Sequence, residues 1–273
     1  MQDTRIALIV SNARIGQTET NYEKTADWVE RGARAGANLV CFPELNLTGY
    51  HIRPPLAEVA EPGDSSYLGR LEKLARTHQV TILAGMAERA PGGRAYAAHG
   101  VIGPHGIAGK YRKTHLGPPE KEVFVPGDEP PPLFQTDRLN FGIQLCYDAH
   151  FPELSTHMAL AGADAVFIPH ASPGASPSAK LASWMRHLPA RAFDNSVFVI
   201  ALNQTGGNGC GLSFPGAALV LSPAGTVLAS YAHAAEQMLL VDLKASELAS
   251  VRQQRMRCFL PHRRPELYRK LFE

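Results

Sequence analysis

The 273-residue chain carries 27 Lys and Arg against 25 Asp and Glu, a formal net charge of +2, with ordinary apolar and charged fractions. This balance fits a soluble globular protein and gives no reason to expect nucleic acid or an anionic membrane as a partner. Eleven histidines without HExxH spacing and four scattered cysteines without CxxC argue against metal, zinc-ribbon and dithiol chemistry.

Residues 5–11 contain a continuous Ile-Ala-Leu-Ile-Val run, which predicts a strand buried on both faces. Tyr22, Ala26, Val29 and Ala33 then recur at helical spacing, with Gly36 as the stop. Residues 38–42 predict a second buried strand that ends in Pro43-Glu44. A loop over 45–63 leads to an amphipathic helix carrying Leu68, Leu71, Leu74 and Ala75, and 80–84 predict a third strand. The rhythm then changes. Residues 95–102 and 107–111 flank Gly103-Pro104-His105-Gly106, a hairpin signal. The proline-rich passage 113–132 is too long for a simple connection, and loops of that length are commonly functional.

A short apolar run from Phe141 ends at Cys146, and Pro152 opens a helix over 153–161, since proline suits a first helical turn. Residues 165–169 predict a strand, 170–178 a Pro- and Ser-rich loop, 180–195 a helix with an irregularity at Pro189, and 197–202 a buried strand. Residues 217–221 and 226–230 bracket another hairpin turn, 238–241 a last strand and 245–252 a short helix. The basic tail, 255–273, carries Phe259, Leu260, Leu267, Tyr268, Leu271 and Phe272, apolar surface that packs on its own domain or, as expected here, covers a partner subunit.

No stretch has linker composition, so 1–273 reads as one domain: a two-sheet sandwich with helices outside, its halves echoing one another. The N-terminus lacks a secretory h-region, and no stretch approaches the ~20 apolar residues that span a bilayer. The expectation is a cytoplasmic protein.

Three stretches put an ionisable side chain just beyond a predicted strand: Glu44, Lys113 and Cys146. In an α/β sheet such strand ends converge on one crevice. Each residue alone has a plainer reading. Most cysteines like Cys146 are small buried hydrophobes, a lone loop glutamate usually caps or pairs, and Lys110, Arg112 and Lys113 form a basic cluster of the kind that is usually solvated. Together they supply what thiol catalysis needs. A carboxylate with a raised pKa removes the thiol proton, and a lysine meets the developing oxyanion. Asp148 and Glu153 read as pairing and helix-start acids; Cys41, Cys210 and Cys258 read as packing residues.

The chain resembles the nitrilase, or carbon–nitrogen hydrolase, superfamily. Its Glu-Lys-Cys triad matches Glu44 in FPELNLTGY, Lys113 in YRKTHL and Cys146 in LCYDAHFPE. Glu120 precedes a Phe-Val-Pro-Gly-Asp element, Arg191 to Asn195 resembles the family's RAxEN helix, and Asn203 to Gly206 its NxxG strand exit. The resemblance spans 4–245. It implies a four-layer α-β-β-α sandwich, homodimers that often exchange their C-terminal tails, and hydrolysis of a non-peptide C–N bond without metal or organic cofactor. It gives Glu44 the role of base, Cys146 that of nucleophile, Lys113 and the Tyr147 N–H that of oxyanion donors, and Glu120 that of support.

The substrate implied is a small amide, cleaved to acid and ammonia through a thioester. An N-carbamoyl (ureido) compound is the alternative, then a nitrile, against which Cys-Tyr-Asp stands where nitrilases have Cys-Trp-Glu. A non-catalytic binding subunit is the last alternative, and transfer of the acyl group to an amine is not separable from hydrolysis. His150 stands where ω-amidase-like members carry arginine, a departure from the dicarboxylate-monoamide pattern. Tyr50, His150, His170, Ser172 and Trp184 fall where the family's pocket walls arise; His170 reads equally as a satisfied core histidine.

Overall fold

The structure, a computed structural model, describes residues 1–53 and 56–270. Among these the strands form two six-stranded sheets. The first holds β1 (Thr4–Val10), β2 (Leu39–Cys41), β3 (Thr81–Arg89), β4 (Ala95–Gly103), β5 (Gly106–Arg112) and, from late in the chain, β12 (Gln237–Leu243), in the order β12-β1-β2-β3-β4-β5. The second holds β6 (Phe134–Gln135), β7 (Asn140–Ile143), β8 (Ala165–His170), β9 (Phe198–Gly207), β10 (Ser213–Leu221) and β11 (Val227–Tyr231), in the order β11-β10-β9-β8-β7-β6. In each sheet three consecutive strands run parallel, and antiparallel neighbours flank them on both sides. Strands β1-β2-β3 of one half thus correspond to β7-β8-β9 of the other.

Three apolar clusters account for the layering. Alternate residues of the parallel strands, including Ile6, Leu8, Phe141, Ile143, Phe167 and Ile200, meet between the sheets. Their neighbours Ala7, Ile9, Val40 and Ile82 pack outward against Trp28 and Val29 of α1 (Thr18–Arg34) and Leu71 and Ala75 of α3 (Ser66–His78). On the far side Val166, Ile168, Val199 and Ala201 pack against Met158 of α4 (Pro152–Leu160), Trp184 of α5 (Pro177–Trp184) and Leu188 and Ala192 of α6 (Leu188–Asn195). The result is the expected α-β-β-α sandwich. Strands covered on both faces need apolar residues at every position, which is why β1 is a continuous apolar run rather than an alternating one.

Local chemistry sets the ends that matter for the site. Ser65 accepts a hydrogen bond from the Tyr67 N–H at the start of α3, and Gln79 closes that helix in the left-handed region at φ 54°. Pro152 occupies the first turn of α4. That helix lies directly on β7: a Cβ added to Gly142 would stand 2.1 Å from Met158 Sδ. Only glycine allows this approach, four residues before Cys146.

Several boundaries differ from the sequence reading. The helix predicted over 180–195 is two helices, α5 and α6, because Pro189 cannot continue a preceding turn and instead sits in the first turn of α6. Strand β3 runs on to Arg89, paired with β4 along its length. Likewise β9 runs to Gly207 against β10, so Asn203 to Gly206 lie inside a strand rather than at its exit. The loop predicted over 45–63 contains a short helix, α2 (Leu56–Val59), with Pro54 and Pro55 outside the described residues. After α7 (Ala245–Arg252) the tail folds into α8 (Pro265–Arg269); Phe259 meets Phe193 at 5.4 Å between ring centroids, and Leu260 packs on the third cluster. Leu271 and Phe272 lie outside the described residues. Among the described residues no helix is long and apolar enough to cross a membrane, and no group of three His, Cys, Asp or Glu side chains is placed to hold a metal ion.

Candidate active site

Glu44 follows β2, Lys113 follows β5 and Cys146 follows β7, so all three leave the same end of the sandwich. The Lys113 side chain is buried, and its Nζ donates to Glu44 Oε1 at 2.9 Å and to Glu120 Oε1 at 2.7 Å. Both carboxylates are buried with it. Glu44 Oε2 accepts from the Ala171 N–H at 2.9 Å, and the Glu44 carbonyl accepts from Gln204 Nε2 at 2.8 Å. Glu120 Oε2 accepts from the Gly117 N–H at 2.6 Å, while Tyr50 donates its hydroxyl to Glu120 Oε1 at 3.1 Å. Every carboxylate oxygen of the pair is therefore held, as buried charges require.

Burial raises Glu44 to about 7; Lys113 pulls it back and Glu120 pushes it further up. Burial alone would depress Lys113, but the negative groups around it, Glu44, Cys146 and Glu120, outweigh that and hold it well above its ordinary value. Lys113 is thus charged at every working pH, whereas Glu44 titrates near neutrality.

Cys146 opens a tight turn, Cys146–His150, and keeps some exposure where the other residues of the cluster are buried. Its thiol is pushed up to about 12, first by burial and then by the Glu44 charge, against the pull of Lys113 and Lys180. The resting group is therefore a thiol. Its backbone stands at φ 46°, a left-handed conformation that costs a non-glycine residue free energy. Leu45, beside Glu44, does the same at φ 57°. Strain at two positions flanking one site is typical of places where side-chain direction matters more than local stability.

The turn is pinned from both sides. Buried Asp148 accepts from the Leu145 and His115 N–H groups at 2.9 and 2.8 Å and from the Tyr111 and Thr114 hydroxyls at 2.8 and 3.1 Å. It ties the Lys113 loop to the Cys146 turn, a larger pairing role than its place in the sequence suggests. Arg191 of α6 donates to the carbonyls of Ala149 and His150 at 3.3 and 3.4 Å.

The remaining candidates fall into two groups. Tyr50 belongs to the charged cluster through Glu120. His170, at the end of β8, is buried with both ring nitrogens engaged: Nδ1 lies 2.7 Å from the Ile168 carbonyl, which can only accept, and Nε2 accepts the Trp184 indole N–H at 3.1 Å. Burial pushes its pKa well below the usual value, so it is neutral. Trp184 is equally buried, its one donor spent on His170. Ser172 exchanges backbone hydrogen bonds with the Asn203 amide at 2.9 and 3.0 Å. His150 is exposed, stacked on His187 at 4.7 Å and edge-on to Tyr147 at 5.5 Å. Sequence reasoning missed the support given by Gln204 and the Ala171 N–H, and the presence of Lys180 close enough to act on the Cys146 thiol. The signal for Gln204 was its place in the Asn203 to Gly206 motif; a backbone N–H leaves none.

The sequence of residues 5–253 matches the carbon-nitrogen hydrolase family, and the chain belongs to it. It is 32% identical to a nitrilase of Pyrococcus abyssi over 97% of this chain and 98% of that one. It is 33% identical to an (R)-stereoselective amidase of a Pseudomonas species over 82% of this chain and 79% of the relative. Among solved structures, an amidase from Nesterenkonia sp. AN1 in complex with butyramide superposes with a TM-score of 0.84 at 30% identity, covering 98% of this chain and 96% of that one. Another structure of that amidase shows covalent addition of the acetamide moiety of fluoroacetamide at the active-site cysteine. The protein is a carbon–nitrogen hydrolase.

Proposed function

We propose that the protein hydrolyses a small amide to a carboxylic acid and ammonia through a thioester on Cys146. The observation that carries this reading is Lys113, buried between Glu44 and Glu120 and within electrostatic reach of the Cys146 thiol. In the first step Glu44 takes the thiol proton as sulfur attacks the amide carbon. Negative charge passes to the carbonyl oxygen, where Lys113 and the Tyr147 N–H meet it. Collapse expels the amine, which takes the proton from Glu44 and leaves as ammonia. Glu44 then removes a proton from water as its oxygen attacks the thioester. When the C–S bond breaks, that proton returns to sulfur and the carboxylic acid is released. Glu120, gripped by Tyr50 and Gly117, orients Lys113 throughout. A base that titrates near 7 suits both proton transfers at neutral pH.

The amidase relatives and the butyramide-bound neighbour support an amide over a nitrile. The test is ammonia release from a panel of small amides, N-carbamoyl amino acids and nitriles. Cys146→Ala should lower the rate by about a thousandfold or more, and hydroxylamine should intercept the acyl-enzyme as a hydroxamate. Full activity in Cys146→Ala would sink the reading. The same reading makes 1–273 one domain that pairs as a homodimer in the cytoplasm. The tail, with exposed Met256, Phe259, Leu267 and Tyr268, would lie at the subunit interface. Light scattering tests this, and a monomer in solution would overturn it.

A further inference from the structure

Two lysines act on Cys146, Lys113 and Lys180, and the second lies outside the carboxylate cluster. It sits mid-way along α5, half-buried, with Nζ 5.3 Å from the centroid of the Trp184 ring. Trp184 bonds to His170, and Ala171 next in sequence donates to Glu44, so a continuous chain of contacts leads from Lys180 to the catalytic carboxylate. Among the described residues its Nζ has no carboxylate within ion-pair distance and no hydrogen-bond acceptor. The Glu44 oxygens meet Lys113 and the Ala171 N–H instead. Lys180 lies within electrostatic reach of Cys146 and Glu44, and burial pushes its own pKa down. Its other neighbours are the imidazoles His150, His170 and His187; burial drives His170 and His187 well below their ordinary pKa, and His150 is lowered too.

A part-desolvated ammonium without a counter-ion is costly unless a ligand supplies the counter-ion. Lys113 shows the contrast, with two carboxylates on one Nζ. We propose that Lys180 is the recognition cation for a carboxylate on the substrate. The amide or ureido compound cleaved at Cys146 is then itself an anion, with its carboxylate lodged against Lys180. This rests on the cysteine-hydrolase reading above and narrows it to a substrate class. The carboxylate can sit on the acyl side, as in a dicarboxylate monoamide, or on the amine side, as in an N-carbamoyl amino acid; both present the same anion to the lysine.

The experiment compares kcat/KM for dicarboxylate monoamides of increasing chain length, N-carbamoyl amino acids and neutral amides of matched size. The wild type should favour one anionic series. In Lys180→Met, the ratio of anionic to neutral kcat/KM should fall by about 10- to 100-fold, the range expected for loss of a charged hydrogen bond. Lys180→Arg should keep most of the ratio. Which anionic series responds identifies the side that bears the carboxylate. A ratio unchanged in Lys180→Met would overturn the proposal, including the case in which both classes slow alike because the lysine acts on the thiol. A wild type that prefers neutral amides would also overturn it. If the wild type hydrolyses nothing in the panel, the hydrolase reading fails instead. Calorimetry with the same compounds on Cys146→Ala then decides the carboxylate site by itself: tighter binding of the anionic series, lost in Cys146→Ala/Lys180→Met, supports it, and binding without charge preference or no binding overturns it.

Discussion

Corresponding strands in the two halves of the sandwich end in opposite electrostatic states. After β2 stands Glu44, and at the end of the equivalent strand β8 stands His170; both are buried and both have every polar atom engaged. Desolvation acts on each in the same sense, against charge. Glu44 is raised to about 7, where the Lys113 cation keeps its ionised form accessible. His170 has only a carbonyl and an indole for partners and is driven well below its usual range. Burial therefore does not make a proton carrier by itself. An opposite charge at hydrogen-bond distance is what keeps a buried group titrating near neutrality.

The largest effect should come from removing that charge. Lys113→Met leaves Glu44 and Glu120 facing each other in the interior without their common partner. Stability should fall by about 3–5 kcal/mol, read by denaturant unfolding, with amide hydrolysis abolished. A variant of wild-type stability would mean that the cluster is not a charged one. Next comes Glu44→Gln, nearly isosteric, which should fold and yet lose about 10²- to 10⁴-fold in rate. If Glu44 is the base, only its ionised form acts, so kcat/KM should drop about tenfold for each unit of pH below 7. An acid limb placed elsewhere, or retained in Glu44→Gln, would assign the titration to another group.

The smallest effect sharpens the other side of the comparison. His170→Phe strands the Trp184 indole N–H and should cost about 1–3 kcal/mol, while the acid limb of kcat/KM stays where it was. A limb that moved would show that His170 shares the proton work. Stability against pH gives a second check with a definite sign. His170 is neutral when folded and takes a proton when unfolded below its ordinary value of 6.5, so it favours unfolding as pH falls through that value, by up to about 1.4 kcal/mol per unit. His170→Phe should lose that part of the acid sensitivity. Glu44 runs the other way: its raised pKa stabilises the fold most fully below 4.5, and the contribution fades as pH rises through about 7.

Much of this molecule was legible before any coordinates. The continuous apolar runs at β1 and β8, the helical spacing of Tyr22, Val29, Leu71 and Ala75, and the Gly-Pro-His-Gly hairpin are local signals, and the sandwich follows from their alternation. The positions of Glu44, Lys113 and Cys146 just past apolar strands, with Glu120 ahead of its Phe-Val-Pro-Gly-Asp element, were equally visible. The extents of β3 and β9 were not, because their outer halves are made by pairing with β4 and β10 and carry mixed residues such as Glu88 and Gln204. The division of α5 from α6 showed only as one proline.

What the sequence determined by itself was which residues are apolar, where glycine and proline interrupt them, and which ionisable groups stand at strand ends. Those properties belong to single residues and their near neighbours, so a linear reading reaches them. What only the tertiary structure decided is the state of each ionisable group. Glu44, His170 and Lys180 look alike in the sequence as polar residues in loops or on helices. The fold surrounds the first with a lysine and an amide, the second with a carbonyl and an indole, and the third with an aromatic ring and, among the described residues, no carboxylate. Desolvation and charge act through space over a few ångströms, and 69 residues of chain separate Glu44 from the lysine it meets.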